Sequence, residues 1–195
     1  MIAYLRGNFV NKTPAQVCVE AGGVGYELQI SLNTYSSIQD QEKGVLLTYL
    51  QVREDAHILY GFFDRSEKDL FIQLIGVSGV GASTARMMLS SMKPEEITRA
   101  ILQGNARQLE SIKGIGKKSA ERIILELRDK LGKSAPEATN ISSTTGNSLE
   151  QDALNALITL GIARPAAENA VRKSMNEVSG TEKVEDIIKK ALKML

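Results

Sequence analysis

The stretch KGIGKKSAER, residues 113–122, places one isoleucine between two glycines and follows the second glycine with two lysines. Glycine adopts backbone conformations closed to other residues, and an isoleucine between two glycines is suited to anchoring a turn in the core. The amides after the turn would belong to the first turn of a helix, where N–H groups lack partners within the helix and the dipole is positive. The stretch therefore predicts a helix–turn–helix unit that can bind an anion such as phosphate.

The same unit occurs a second time, earlier in the chain. Residues 74–92, LIGVSGVGASTARMMLSSM, align without a gap with residues 109–127, LESIKGIGKKSAERIILEL. The matched pairs are Gly79 with Gly114, Val80 with Ile115, Gly81 with Gly116, and Ala85 with Ala120. Two such turns on one surface could grip two backbone phosphates without reading bases. The alternative, that each Gly-x-Gly merely ends one helix and begins another, stays open for either copy alone.

Charge and reactive side chains are unevenly distributed. Residues 64–133 hold 13 Lys and Arg against 9 Asp and Glu, whereas residues 1–63 hold 4 against 6. The basic excess therefore coincides with the duplicated unit, as expected for a phosphate-bearing partner. Cys18 and His57 are each the only residue of their type, so we expect no disulfide, zinc site, Cys–His nucleophile pair or cofactor. We also expect a reducing cytoplasmic location and no membrane span.

The chain divides into modules that predict an α+β multidomain protein. Residues 1–63 contain five short runs rich in Val, Ile, Leu, Tyr and Phe without helical periodicity, which predicts a small closed β-barrel. Residues 64–131 carry helical patterns around the two turns and predict an all-α domain. Residues 132–148 contain almost no large apolar side chains and predict a flexible linker, and residues 149–195 predict a three-helix bundle.

Two acidic residues stand between the last two predicted strands, VLLTYLQV and AHILYGF. Only Arg53, Glu54 and Asp55 separate these strands, which predicts a tight hairpin with both acids at or near its tip. From the residues alone, a solvated polar turn is the favoured interpretation. A shared metal would require the turn to bring the two side chains together, since neighbours in an extended strand point to opposite faces.

The C-terminal helices contain an apolar break in LITLGIARP, residues 157–165. In so small a bundle, some apolar residues are expected to stay exposed as a partner-binding patch. The candidates are Leu157, Leu160 and Ile162. Their other possible place is the bundle core, which the pattern favours for Leu157.

These motifs together resemble the RuvA family of Holliday junction branch-migration proteins. The resemblance rests on GIGKKSAERIILEL, on the duplicated turn and on the barrel that ends REDAHILYGF, and it covers the whole chain. It implies an OB-fold barrel, a double helix-hairpin-helix domain and a third domain that engages the hexameric ATPase RuvB. It further implies a homotetramer that holds a four-way DNA junction open and flat, with a RuvC-type resolvase as another partner.

The resemblance also implies roles for individual residues. Glu54 and Asp55 match the acidic pin at the junction centre, where their charge would repel phosphates and guide strands apart. The implied DNA contacts are Gly79, Val80, Gly81 and Ser83 in the first unit, and Gly114, Ile115, Gly116, Lys117, Lys118 and Arg122 in the second. The family usually has Pro and Lys where this chain has Ala82 and Ser83, which predicts a weaker first hairpin. It often has an aromatic residue where this chain has Ile162, which leaves the partner contacts open.

Two other functions fit parts of the pattern. A DNA glycosylase or nuclease could grip its substrate with one hairpin, but Asp129 lies on the helix itself and Glu54 and Asp55 lack an evident third carboxylate. A single-strand binder would depend on the barrel, which has an acidic excess and no evident basic aromatic surface. The favoured prediction is a non-catalytic DNA scaffold that recognises junction shape and loads a motor.

Overall fold

Five strands close into a barrel in the order β1–β2–β3–β5–β4 in the computed structural model, which describes residues 1–134, 145–176 and 183–194. The strands are β1 (Tyr4–Thr13), β2 (Gln16–Ala21), β3 (Val24–Gln29), β4 (Lys43–Val52) and β5 (His57–Phe62). All neighbours are antiparallel except β3 and β5, which are parallel. Inward-facing aliphatic side chains such as Val19, Leu28 and Leu46 are fully buried. The predicted OB-like barrel is confirmed.

A helix that the sequence did not predict, α1 (Leu32–Ile38), lies between β3 and β4. Ser31 caps this helix by accepting a hydrogen bond from the amide of Thr34 at 3.0 Å. Lys12 donates from its ammonium group to three carbonyls at the other end of the helix. The expectation of strands alone was wrong here, because a helix of seven residues is too short to display a clear period.

The helical module that follows contains α2 (Arg65–Ile75), α3 (Ala82–Ser91), α4 (Pro94–Leu102), α5 (Ala106–Glu110) and α6 (Lys117–Ser134). Its core continues into the barrel through aromatic rings. Phe71 of α2 lies 5.6, 5.0 and 4.9 Å, between ring centroids, from Tyr49, Tyr60 and Phe62 of β4 and β5. Buried aromatic contacts of this kind fix geometry, so β4 and β5 contribute to the core of the helical module, while the interior of the barrel forms a second core within the same unit, Met1–Pro136.

A buried carboxylate adds a polar connection between the barrel and α2. Glu67 is only 1% exposed and accepts hydrogen bonds from the hydroxyl groups of Ser31 and, at 2.6 Å, Thr34. The Thr34 hydroxyl also accepts from the amide of Phe63 at 3.0 Å. Burial raises the pKa of Glu67, an effect that the hydroxyl donors partly offset. The first turn of α2 is therefore tied directly to α1.

The C-terminal unit, Glu137–Leu195, is a separate compact unit. Its helices are α7 (Thr145–Thr159), α8 (Arg164–Asn176) and α9 (Val184–Lys193), and they pack around a core that includes Val171 and Ile187. The three predicted helices are confirmed. Residues 135–144 of the predicted linker lie outside the described residues, and α6 and α7 extend into its two ends. Within the described ranges, no helix is both long and apolar enough to cross a bilayer.

The buried Glu67 predicts a specific pH dependence of stability. Because its pKa is raised in the folded state, its contribution is present in full below the pKa of the unfolded chain and is lost as pH rises through the folded pKa. Glu67→Gln should therefore flatten the fall in stability over that window. Glu67→Ala, which leaves both hydroxyls without their acceptor, should cost about 2 kcal/mol or more.

Chemical denaturation at a series of pH values measures both effects. Glu95→Gln on α4, an exposed carboxylate, is the matched control and should leave the pH profile nearly unchanged. A Glu67→Gln profile parallel to that of the natural chain would contradict this account.

Candidate nucleic-acid interface

The two predicted turns, hairpin 1 (residues 76–81) and hairpin 2 (residues 111–116), have the same backbone hydrogen bonds. Each turn closes through a bond from its aliphatic residue, and the following helix starts with a bond back to its second glycine. The matched bonds are Val80 N to Val77 O and Ile115 N to Ile112 O, both 3.0 Å, and Ala85 N to Gly81 O at 2.9 Å and Ala120 N to Gly116 O at 3.0 Å. The predicted structural repeat is confirmed.

The first glycine of each hairpin has a backbone conformation that favours glycine. Gly79 has a φ of 86° and Gly114 a φ of 91°, the positive value required at the third position of a type II turn. The aliphatic residues that follow, Val80 and Ile115, are 6% and 5% exposed and pack in the core. Their side chains anchor the turns, so only the main chain of these residues can face a ligand.

The second glycine of each hairpin leaves the next helix without a side-chain cap. Gly81 is the N-cap of α3 and makes no side-chain hydrogen bond, and Gly116 directly precedes α6. Neither helix has an acidic residue in its first turn. No atom lies within 4 Å of a Cβ built on either glycine. The amides that start both helices are therefore open to an external acceptor.

Helices α2 and α5 of this module cap their first turns with a side chain. Asp64 accepts a hydrogen bond from the amide of Glu67 at 2.9 Å, and Asn105 accepts from that of Gln108 at 3.3 Å. At α4, the carboxylate of Glu96 accepts from the amide of Lys93 at 2.9 Å. The missing side-chain caps at α3 and α6 thus distinguish the hairpin helices from α2 and α5, whereas at α4 it is the amide of the N-cap residue that finds an acceptor.

Positive charge is concentrated at hairpin 2. Lys117 and Lys118 are exposed in the first turn of α6, whereas Ser83 is exposed in the first turn of α3. Arg122, predicted from hairpin 2, reaches the other turn instead, where its Nη1 atom donates to the carbonyl and the hydroxyl of Ser78 at 3.3 and 3.4 Å. Ser78 was not singled out from the sequence, because its contact partner lies in the second copy of the unit.

The predicted acidic residues lie at the tip of the β4–β5 hairpin. The amide of Arg53 donates to the carbonyl of Ala56 at 2.9 Å, so Glu54 and Asp55 form the end of the loop. Both side chains are exposed. In the described part of the chain, no group of three or more His, Cys, Asp or Glu side chains could hold a metal ion. This tip belongs to the barrel, while both hairpins belong to the helical module.

The predicted partner residues divide into core and surface. Leu157 is fully buried in the core of the C-terminal unit, so its side chain fills the bundle and cannot contact a partner, which corrects its prediction as a partner-binding residue. Leu160 is 63% exposed, and Ile162 is half-buried against the same core. Leu160 is therefore the candidate with the most surface to offer.

The positive φ of the first glycine predicts that, in each hairpin, replacing the first glycine by alanine lowers the free energy of unfolding more than replacing the second. Gly79→Ala and Gly114→Ala should each lower the free energy of unfolding by about 1–2 kcal/mol, because alanine is disfavoured in that conformation. Gly81→Ala and Gly116→Ala, whose φ values are not positive and whose surroundings are open, should cost less, about 0.5 kcal/mol, because alanine is a poorer N-cap than glycine. Urea denaturation measures this, and equal losses at all four positions would refute it.

Comparison with known proteins matches the barrel and the paired turns to two described families. Residues 1–61 match the family described as RuvA N terminal domain, and residues 71–129 match the family described as SAM-like Helix-hairpin-helix tandem.

Full-length relatives agree with the domain matches. The chain is 46% identical over 195 residues to the Holliday junction branch migration complex subunit RuvA of Christiangramia forsetii. It is 43% identical over 198 residues to the protein of that name from Cytophaga hutchinsonii and 41% identical over 202 residues to that from Bacteroides fragilis. Each alignment covers 100% of this chain and of the relative. The chain belongs to the RuvA family.

Proposed function

We propose that the chain is a non-catalytic DNA-binding subunit that recognises four-way junctions by shape and recruits a RuvB-type ring ATPase for branch migration. The observation that carries this proposal is the pair of uncapped helix N-termini at α3 and α6, built by identical turns in a RuvA-family chain. A homotetramer, a RuvC-type resolvase as further partner and a cytoplasmic location belong to the same proposal.

The hairpins supply the attraction for DNA. First-turn amides are oriented donors at the positive end of a helix dipole, and a phosphate oxygen is their natural acceptor. Glycine at positions 81 and 116 lets a sugar–phosphate backbone approach without meeting a Cβ. Lys117 and Lys118 add charge at hairpin 2. Because such contacts do not touch base edges, binding is independent of sequence.

The acidic tip supplies the selection for shape. Glu54 and Asp55 are exposed at the end of a short hairpin, where each negative charge repels a phosphate about 4 Å away by roughly 1 kcal/mol in water. Several copies around a crossover would disfavour the close approach of strands there. A continuous duplex has no open centre that could accommodate such a tip, so the tip does not favour its binding.

A rigid connection lets the two elements act together. The hairpins and the acidic tip belong to one unit, and Phe71 and Glu67 of α2 bind the barrel to the helices. The separation between attraction and repulsion is therefore set by packing. A DNA whose arms diverge at that separation can place phosphates at the hairpins and keep them away from the acidic tip. Shape is recognised in this way.

The C-terminal unit is proposed to contact the motor. Leu160 is a large apolar side chain that is 63% exposed in a small helical unit, and we propose that it contributes to the motor interface. Ile162 beside it is half-buried. The sequence contains no G-x-x-x-x-G-K-[ST] motif, so ATP-driven movement is assigned to the partner.

Charge reversal at hairpin 2 tests the phosphate contact. The variant Lys117→Glu/Lys118→Glu should bind junction and linear duplex much more weakly, and the slope of log K against log salt should fall by roughly one unit per lost phosphate contact. Fluorescence anisotropy at several salt concentrations measures both quantities. Reversal of the adjacent pair Arg172 and Lys173 in the C-terminal unit is the matched control. An unchanged slope in the hairpin variant would exclude a backbone contact.

Neutralisation of the acidic tip tests shape selection. Glu54→Gln/Asp55→Asn should leave junction affinity unchanged or raise it, because repulsion is removed, and should reduce the preference for junction over duplex. A gel-shift competition between a four-way junction and a duplex of equal length measures the preference. Loss of junction affinity in this variant would show that the acids attract DNA indirectly and would contradict the proposed role.

A further inference from the structure

One arginine joins the helix that follows hairpin 1 to the barrel. Arg86 is half-buried and lies one turn beyond Ala82, the first residue of α3. Its Nη1 atom donates to the carbonyl of Ala15 at 3.0 Å and to the side-chain oxygen of Gln29 at 2.5 Å. Ala15 lies in the turn between β1 and β2, and Gln29 is the last residue of β3. Arg86 therefore contacts two separate segments of the barrel.

One of these acceptors lies beside the strand that follows the acidic tip. Gln29 is paired in register with Tyr60 of β5, and β5 begins at His57, at the end of the loop that carries the acidic tip. The pairing of β3 with β5 covers Leu28 and Gln29 and is the shortest seam of the barrel. Arg86 therefore braces the barrel at the seam beside the strand that leads from the acidic tip.

The two hairpins are connected to each other by contacts that do not involve Arg86. The Nη1 atom of Arg122 donates to the carbonyl and the hydroxyl of Ser78 in hairpin 1. The aliphatic residues that anchor the two turns, Val80 and Ile115, belong to one core. A substitution at Arg86 therefore keeps the contacts that set the spacing between the hairpins, and it alters the connection of hairpin 1 to the barrel.

Hairpin 1 is attached to the barrel module on both of its sides along the chain. Phe71 and Glu67 attach α2, the helix before the hairpin, and Arg86 attaches α3, the helix after it. The far end of α3 is held by Asn33 of α1, whose side chain donates to two of its last carbonyls at 2.5 and 3.1 Å. A body held at one place can turn about it, whereas further contacts at other places remove that freedom.

We infer that Arg86 is a positioning residue that fixes hairpin 1 relative to the acidic tip and thereby favours four-way junctions over duplex. This inference rests on the proposed function, in which the hairpins attract phosphates and the acidic tip repels them. A junction has to place its phosphates at the hairpins and away from the tip at the same time. When the tip is displaced, it repels phosphates of a junction that the hairpins still hold.

Affinity measurements on the full-length chain test this role. Arg86→Ala should weaken junction binding about fivefold, the factor expected when one phosphate comes close to one charge of the tip. Duplex affinity and the salt slope should stay unchanged, because the hairpin contacts remain. Arg86→Lys keeps a donor for both acceptors and should retain most of the junction affinity. Arg65→Ala removes a guanidinium that bonds to Asp69 of the same helix, and this matched control should leave junction affinity unchanged.

Neutralisation of the tip separates positioning from other roles of Arg86. In the background Glu54→Gln/Asp55→Asn, Arg86→Ala should no longer weaken junction binding, because a displaced tip without charge does not repel phosphate. A loss of junction affinity that persists in this background would overturn the inference. Equal losses for junction and duplex, with a salt slope lower by about one unit, would show a phosphate contact of Arg86 and would also overturn it.

These outcomes are distinct from a failure of the proposed function. If the hairpins do not bind phosphate, charge reversal at Lys117 and Lys118 would leave junction affinity unchanged. If the tip does not select for shape, its neutralisation alone would leave the preference for junction over duplex unchanged. If both variants behave as proposed but Arg86→Ala binds junction as the natural chain does, the inference alone fails. Thermal unfolding of each variant identifies any loss of affinity that comes from misfolding.

Discussion

Every α-helix begins with amides that have no partner inside the helix, and each helix must satisfy them in some way. In this helical module, α2 and α5 use side chains, as when Asp64 accepts from the amide of Glu67. Helices α3 and α6 begin after glycines 81 and 116 and have no acid in their first turns. Two open anion sites on one module follow from this difference, and the proposed DNA contacts depend on them.

The position of these sites relative to the acidic tip is set by the joint between barrel and helices. Phe71 packs among three aromatic rings of β4 and β5, and Glu67 accepts hydrogen bonds from Ser31 and Thr34. Both residues lie on α2, which follows β5 directly. A strand that carries the acidic hairpin therefore continues into the helix that leads to hairpin 1. The proposed sites of attraction and repulsion for DNA therefore lie on one compact unit, because the chain leads directly from the acidic hairpin to the helix before hairpin 1.

Local sequence patterns made much of this architecture predictable. Contacts between residues far apart in the sequence could not be predicted from those patterns. Two in-register copies of Gly-x-Gly predicted the turns, because positive φ at Gly79 and Gly114 is a property of residue type and position. Helix α1 escaped prediction because seven residues show no clear period. The contact of Arg122 with Ser78 joins residues far apart in sequence, and only the packing of the two copies brings them together.

Amide hydrogen exchange of the full-length chain tests the central claim most directly. On addition of a saturating four-way junction, the first-turn amides of both α3 and α6 should exchange more slowly, because phosphate oxygens become their acceptors. The first turn of α2, in which Asp64 already accepts from the amide of Glu67, should exchange at an unchanged rate. Bound junction without slower exchange at one or both hairpins would contradict the paired clamp.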